Sequence, residues 1–136
     1  GEHFTEFYIL GPGGKAADYP TDFPAGSAQS LIIGVGNHEY REVPYTVEAL
    51  ALNQTFDPAT NTSTIHAAEP LDRFVVTVPH NETRELPWEF SVPSADYNRI
   101  EFLLFNETVP GEDVLGQDRI NASYRDLHLW VRVRPA

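Results

Sequence analysis

Apolar residues in this chain recur at every second position in short runs, and each run is bounded by Gly, Pro, Asn or Asp. Side chains of an extended strand point alternately to its two faces, so this period describes strands with one apolar face and excludes helices. The first run is Phe4 to Leu10, which ends at Gly11-Pro12-Gly13-Gly14. After a loop rich in Pro and Asp, the run from Ser27 to Val35 sets Leu31, Ile33 and Val35 on one face. Tyr45, Val47, Ala49 and Ala51 share the next face in a segment that closes at Asn53, and a polar tongue, Asp57-Pro58-Ala59-Thr60-Asn61, follows as a loop or hairpin tip. Further runs carry Phe74, Val76 and Val78, then Leu86, Trp88, Phe90 and Val92, then Ile100, Phe102 and Leu104. The last carries Leu127, Leu129, Val131 and Val133, with His128, Trp130, Arg132 and Arg134 on its other side. That makes about seven strands at the turn spacing of a β-sandwich.

The 11 prolines break most windows that could support a helix, and only Asp118 to Tyr124 is left for a helical turn. Consecutive strands of this length need two sheets to bury their apolar faces. The predicted fold is therefore one immunoglobulin-like antiparallel β-sandwich spanning residues 1–136. A chain of 136 residues that is 41% hydrophobic can fill one such core and is too short for two.

Five of the seven asparagines stand in N-x-[ST] triplets without proline: Asn53, Asn61, Asn81, Asn106 and Asn121. Ser and Thr make up roughly an eighth of the chain, so chance would supply about one. The set predicts a glycosylated domain outside the cytoplasm. All five triplets read as turns or strand ends, where a glycan can point into water. The chain has no cysteine, so its stability must come from the core, a combination that suits an archaeal or bacterial exterior. No apolar run approaches the roughly 18 residues that would cross a bilayer. The start at Gly1 reads as a processed or truncated segment, with any anchor or signal outside it. A net charge of −11 argues against nucleic acid and anionic membranes, both of which would repel the chain.

Chemistry-bearing motifs are sparse. Gly11-Pro12-Gly13-Gly14-Lys15 lacks the spacing of a phosphate loop and the Ser or Thr after its lysine, and reads as a turn. Gly34-Val35-Gly36 lacks the third glycine of a dinucleotide site and reads as a strand in close contact with a neighbour. His3, His38, His66, His80 and His128 are scattered, with no zinc-protease spacing, and suit structural hydrogen bonding at strand ends. Gly111-Glu112-Asp113 with Asp118 matches no calcium loop and reads as a solvated turn. Trp88, between Leu86 and Phe90 at period two, belongs in the core. Trp130 shares its face with His128, Arg132 and Arg134 and is a candidate for partner contact, or else a ring with arginine stems packed over it. No cofactor or metal site is expected.

The phrases Thr5-Glu6-Phe7-Tyr8-Ile9-Leu10-Gly11, Tyr19-Pro20, Gly34-Val35-Gly36-Asn37-His38-Glu39-Tyr40 and Tyr45-Thr46-Val47 resemble the extracytoplasmic region of an archaeal membrane-protein family, domain of unknown function 1616. The resemblance is sharpest over residues 4–50. It implies an archaeal source and an exterior location, in a family whose members carry several transmembrane helices before a soluble β-rich region, and it supplies no catalytic residues. Read for its own physics, the Gly34 to Glu39 phrase suits a sandwich corner, in which the strand takes positive φ at Gly36-Asn37 and returns through Tyr45 as its hairpin partner.

These readings converge on a non-catalytic extracellular domain acting in structure or adhesion, with N-linked glycans and another surface protein or copies of itself as partners. One version is a filament or sheath subunit whose strand Glu2 to Leu10 adds to a neighbour's sheet through Phe4, Phe7, Tyr8 and Ile9. The alternative is a carbohydrate-binding module using Trp130.

Overall fold

The computed structural model describes residues 1–136. Its strands are β1 (Phe4–Leu10), β2 (Asp22–Pro24), β3 (Gln29–His38), β4 (Val43–Asp57), β5 (Thr62–Val78), β6 (Thr83–Phe90), β7 (Arg99–Phe105), β8 (Arg125–Trp130) and β9 (Arg132–Arg134), with one helix, α1 (Gly116–Ala122), before β8. A three-stranded sheet in the order β1-β3-β6 packs on a four-stranded sheet in the order β5-β4-β7-β8, and all pairings within the two sheets are antiparallel. This is an immunoglobulin-like β-sandwich.

The inward positions are those the alternation marks. Leu31, Ile33 and Val35 of β3 meet Tyr45, Val47, Ala49 and Ala51 of β4 and Ile100, Phe102 and Leu104 of β7, all almost fully buried. Burying each such side chain contributes about 1.5–3 kcal/mol, so this cluster carries the stability that disulfides supply elsewhere. Trp88 is core, as its spacing implies, stacked on Phe90 at 4.6 Å, with its indole N–H donating to Asp72 Oδ2 at 2.8 Å.

Several expectations need correction. The β3 strand does not return as a hairpin through Tyr45. It pairs with β1 and β6, and the chain crosses at residues 39–42 to the opposite sheet, where β4 begins. Positive φ falls at Tyr40 (65°), while Gly36 and Asn37 remain extended within β3. The run at Phe74 starts at Thr62, because β4 continues through Asn53 to Asp57 and pairs there with the polar start of β5. This ribbon has register shifts at Ala49/Leu50 and Asn53/Gln54, and its polar sequence gave no alternation to read. The tongue Asp57 to Asn61 is its hairpin tip. The last strand breaks at Val131: β8 pairs with β7, and β9 pairs in parallel with β2, a short strand the sequence did not reveal.

The central strands β4 and β7 are buried on both faces. Their outward Leu50, Leu52, Leu103 and Phe105 form a second cluster, covered by Val109 and by Ile120 of α1. The segment of residues 106–124 is thus a lid on the outer face of the larger sheet.

Candidate functional site

The family-like phrase builds a corner. Asn37, fully buried, donates through Nδ2 to the carbonyls of Arg41 and Val78, both at 2.7 Å, and accepts from the Glu39 N–H at 2.7 Å. Its main chain bonds Glu82 and Asn81. One residue therefore joins the end of β3, the crossover and the end of β5 through its side chain, and the turn into β6 through its main chain. Glu39 extends the corner, with Oε2 accepting from Thr5 Oγ1 at 2.7 Å and from Tyr124 OH at 2.6 Å, while Thr5 Oγ1 also bonds Tyr45 OH at 2.7 Å. Burial pushes the Glu39 carboxyl up, but the Tyr124 and Thr5 hydroxyls, with His3 and Arg41, outweigh it and hold the carboxyl below its ordinary value. Gly34 is where Tyr8 crosses β3: a Cβ there would meet the Tyr8 ring at 2.2 Å. Beyond Gly34 the Tyr8 hydroxyl donates to Glu85 Oε2 of β6 at 2.6 Å, and burial together with that carboxylate pushes the phenol up to about 12.

Outside this latch lies an aromatic end. His38 stacks on Phe4 with centroids 4.6 Å apart, Tyr40 stacks on His80 at 4.5 Å, and His3 tilts against Tyr40 at 4.8 Å. His38 Nε2 meets Glu6 Oε1 at 2.8 Å, and its Nδ1 lies 3.4 Å from Asn81 Oδ1. Three of the histidines read as scattered thus converge. Their meeting depends on β1–β3 register and on the turn after β5, which no local pattern announces.

The lid supplies a second group. Arg119 of α1 forms a two-pronged pair with Glu48, Nε to Oε1 at 2.7 Å and Nη2 to Oε2 at 2.8 Å, both residues nearly buried. Beside it, a groove of about 500 Å³ runs between the β4–β5 ribbon and the lid, lined by Leu50, Leu71, Arg73 and Leu115. Its arginines share Glu48, at 2.7 Å for Arg119 and 3.7 Å for Arg73, so the single carboxylate is held between two guanidinium groups. On β7, Glu101 is fully buried. Its Oε2 accepts from Arg99 at 3.1 Å, and its Oε1 has no donor. Burial and the neighbouring Asp126 push this carboxyl up to about 8, against the pull of Arg99; as the neutral acid it can donate to Asp126. Burial, then Arg99, holds the facing His128 below its ordinary value. No three His, Asp or Glu side chains converge as metal ligands.

The proposed contact residues fare differently from one another. Phe7 and Ile9 pack against the domain's own core, Tyr8 is spent on Gly34, and Phe4 is half-exposed in the aromatic end. The whole of β1 pairs with β3 of the same chain, from Phe4↔His38 to Leu10↔Ile32. Trp130 is 48% exposed with a guanidinium 4.8 Å above its ring, but the guanidinium belongs to Arg99; Arg132 and Arg134 pair instead with Asp22. Of the N-x-[ST] asparagines, Asn61 and Asn81 lie in turns and Asn106 in a bend just past β7. Asn53, expected at a strand end, lies inside β4 opposite Ala67, because the ribbon prolongs the strand past it. Asn121 is in the last turn of α1.

The architecture defines an immunoglobulin-like β-sandwich with a helical lid on one sheet. The chain belongs to the family described as domain of unknown function 1616, whose model matches residues 1–132. Comparison with curated proteins finds no match. Among solved structures it is similar to the CARDB domain of the PF1109 protein from Pyrococcus furiosus, crystallised in complex with di-metal ions (TM-score 0.53, 15% identity, 98% of this chain and 96% of that one). It is also similar to Spo0M, a sporulation control protein from Bacillus subtilis (TM-score 0.50, 8% identity, 98% of this chain, 50% of that one). A third likeness is to a β-glucosidase from Listeria innocua in complex with gluconolactone (TM-score 0.52, 9% identity), where the whole of this chain matches 17% of the enzyme. At these identities the likeness is one of fold.

Proposed function

We propose that this domain is a non-catalytic, N-glycosylated extracellular part of an archaeal cell-surface protein, serving structure or adhesion. One observation carries the reading: the asparagines divide by use. The two outside N-x-[ST] triplets are locked into the fold, Asn37 as described and Asn98 by bonds to the Gln54 N–H and carbonyl at 2.9 and 2.8 Å. The five inside the triplets are exposed or half-exposed, and none donates its amide nitrogen to the protein. A glycan is attached through that nitrogen, and fixed glycan acceptors need it free. The latch around Asn37 and Glu39 accounts for the family-like phrase as structure.

For assembly with copies of itself by strand addition, the edge strands are β1 and β6 of the smaller sheet and β5 and β8 of the larger, of which β5 is the longest at 17 residues. Trypsin applied to intact cells of the source organism tests the location. The expected result is release of peptides cut at Lys15 and Arg41, both on exposed loops. Release only after lysis would contradict it.

A further inference from the structure

Asn81 occupies the turn after β5, exposed and at φ 64°, and it adjoins both stacked aromatic pairs. His80, its chain neighbour, lies on Tyr40, and His38, which lies on Phe4, brings Nδ1 to 3.4 Å from the Asn81 Oδ1. With its oxygen approached by the imidazole, the amide keeps its nitrogen free of protein partners. Phe4 and Tyr40 are 38% and 53% exposed, so aromatic surface is left in water at the very place where a glycan would begin. Scattered apolar residues are ordinary on a surface, but stacked rings gathered at one end with Glu6 and His38 beside them call for an occupant.

We infer that His3, Phe4, His38, Tyr40 and His80 form a seat for the first pyranose of a glycan on Asn81. A pyranose carries C–H groups on one face and hydroxyls on its rim. Its C–H face covers the exposed rings, and its hydroxyls meet Glu6 and the imidazoles. Because the sugar is tethered to Asn81, contact is intramolecular and avoids most of the entropy of association. The inference rests on reading the domain as N-glycosylated and adds which glycan is ordered and by what.

The test uses protein purified from the source organism, as the natural sequence and as Thr83→Ala, which removes the Asn81 acceptor triplet alone. Peptide mapping first reads occupancy at Asn81. Proton NMR then reads the sugar, whose C–H signals are expected upfield from ring currents in the natural protein and at ordinary positions in Tyr40→Ala. Thr83→Ala is expected to lower Tm by a few degrees, and to lower it no further in the Tyr40→Ala background. Tyr40 is an exposed loop residue, so this variant keeps the fold, and Phe4→Ala repeats the comparison from the strand side. A bare Asn81 would overturn the seat together with glycosylation at this position. An occupied Asn81 with ordinary sugar shifts and additive Tm changes would overturn the seat alone. Binding of free oligosaccharide to Thr83→Ala at the same rings would also overturn it, and make the rings a recognition surface for another molecule's glycan.

Discussion

Asn37 and Glu101 show how single buried polar groups are held in this fold. Replacing Asn37 by Asp keeps an acceptor for the Glu39 N–H but sets a carboxylate oxygen against the carbonyls of Arg41 and Val78, which lose their donor. A loss of about 3 kcal/mol is expected, read by urea unfolding. Glu101 carries a pH dependence whose sign follows from its raised value: about 8 when folded, against 4.5 for the free side chain. The folded chain keeps a proton there that the unfolded chain releases, so its stabilising effect is complete below pH 4.5 and is lost as pH rises toward 8. Glu101→Gln, permanently neutral and still able to donate to Asp126, is expected to flatten that decline and add about 2 kcal/mol above pH 8, measured by thermal unfolding across the range. The sequence announces Asn37 as a corner residue, because a glycine-rich strand end followed by Asn and Glu suits a change of direction. Its partner Val78 lies 41 residues away and leaves no local trace. Glu101 stands at a position the alternation assigns to solvent, and nothing nearby in the chain shows that it is covered.

At the level of elements, alternation located seven of the strands but misjudged β4 and β7, whose outward faces are apolar too because the lid of residues 106–124 rests on them. A strand buried twice has no polar face to set the period, so Leu50, Leu52, Leu103 and Phe105 blur it. The helix itself is legible at Asp118 to Tyr124, two residues from its observed place. The pinning of α1 by Arg119 on Glu48 is not, since 71 residues separate them. Arg119→Met is expected to cost about 3 kcal/mol, because it leaves the nearly buried Glu48 carboxylate with only the distant Arg73. The pair Arg119→Met with Glu48→Leu is expected to recover most of that loss, and denaturant unfolding of both variants decides whether the charge or the packing holds the lid.

For the molecule as a whole, the two-sheet sandwich follows from patterning, while the crossover at residues 39–42 and the aromatic end arise from topology that strand patterns do not encode. With β1 paired inside its own sheet, the intact chain is expected to sediment as a monomer, and a chain lacking residues 1–10 is expected to unfold, since it loses Thr5 from the latch and Phe7 and Ile9 from the core. Concentration-dependent association abolished by that deletion without loss of fold would return β1 to the role of a donor strand. The division of the asparagines into two locked residues and five with free amide nitrogens is what supports the proposed glycosylation. Glycopeptide mapping of the protein from its source cells addresses it directly. The expected result is added sugar mass on most of Asn53, Asn61, Asn81, Asn106 and Asn121 and none on Asn37 or Asn98; recovery of all five triplet peptides at their bare masses would contradict it.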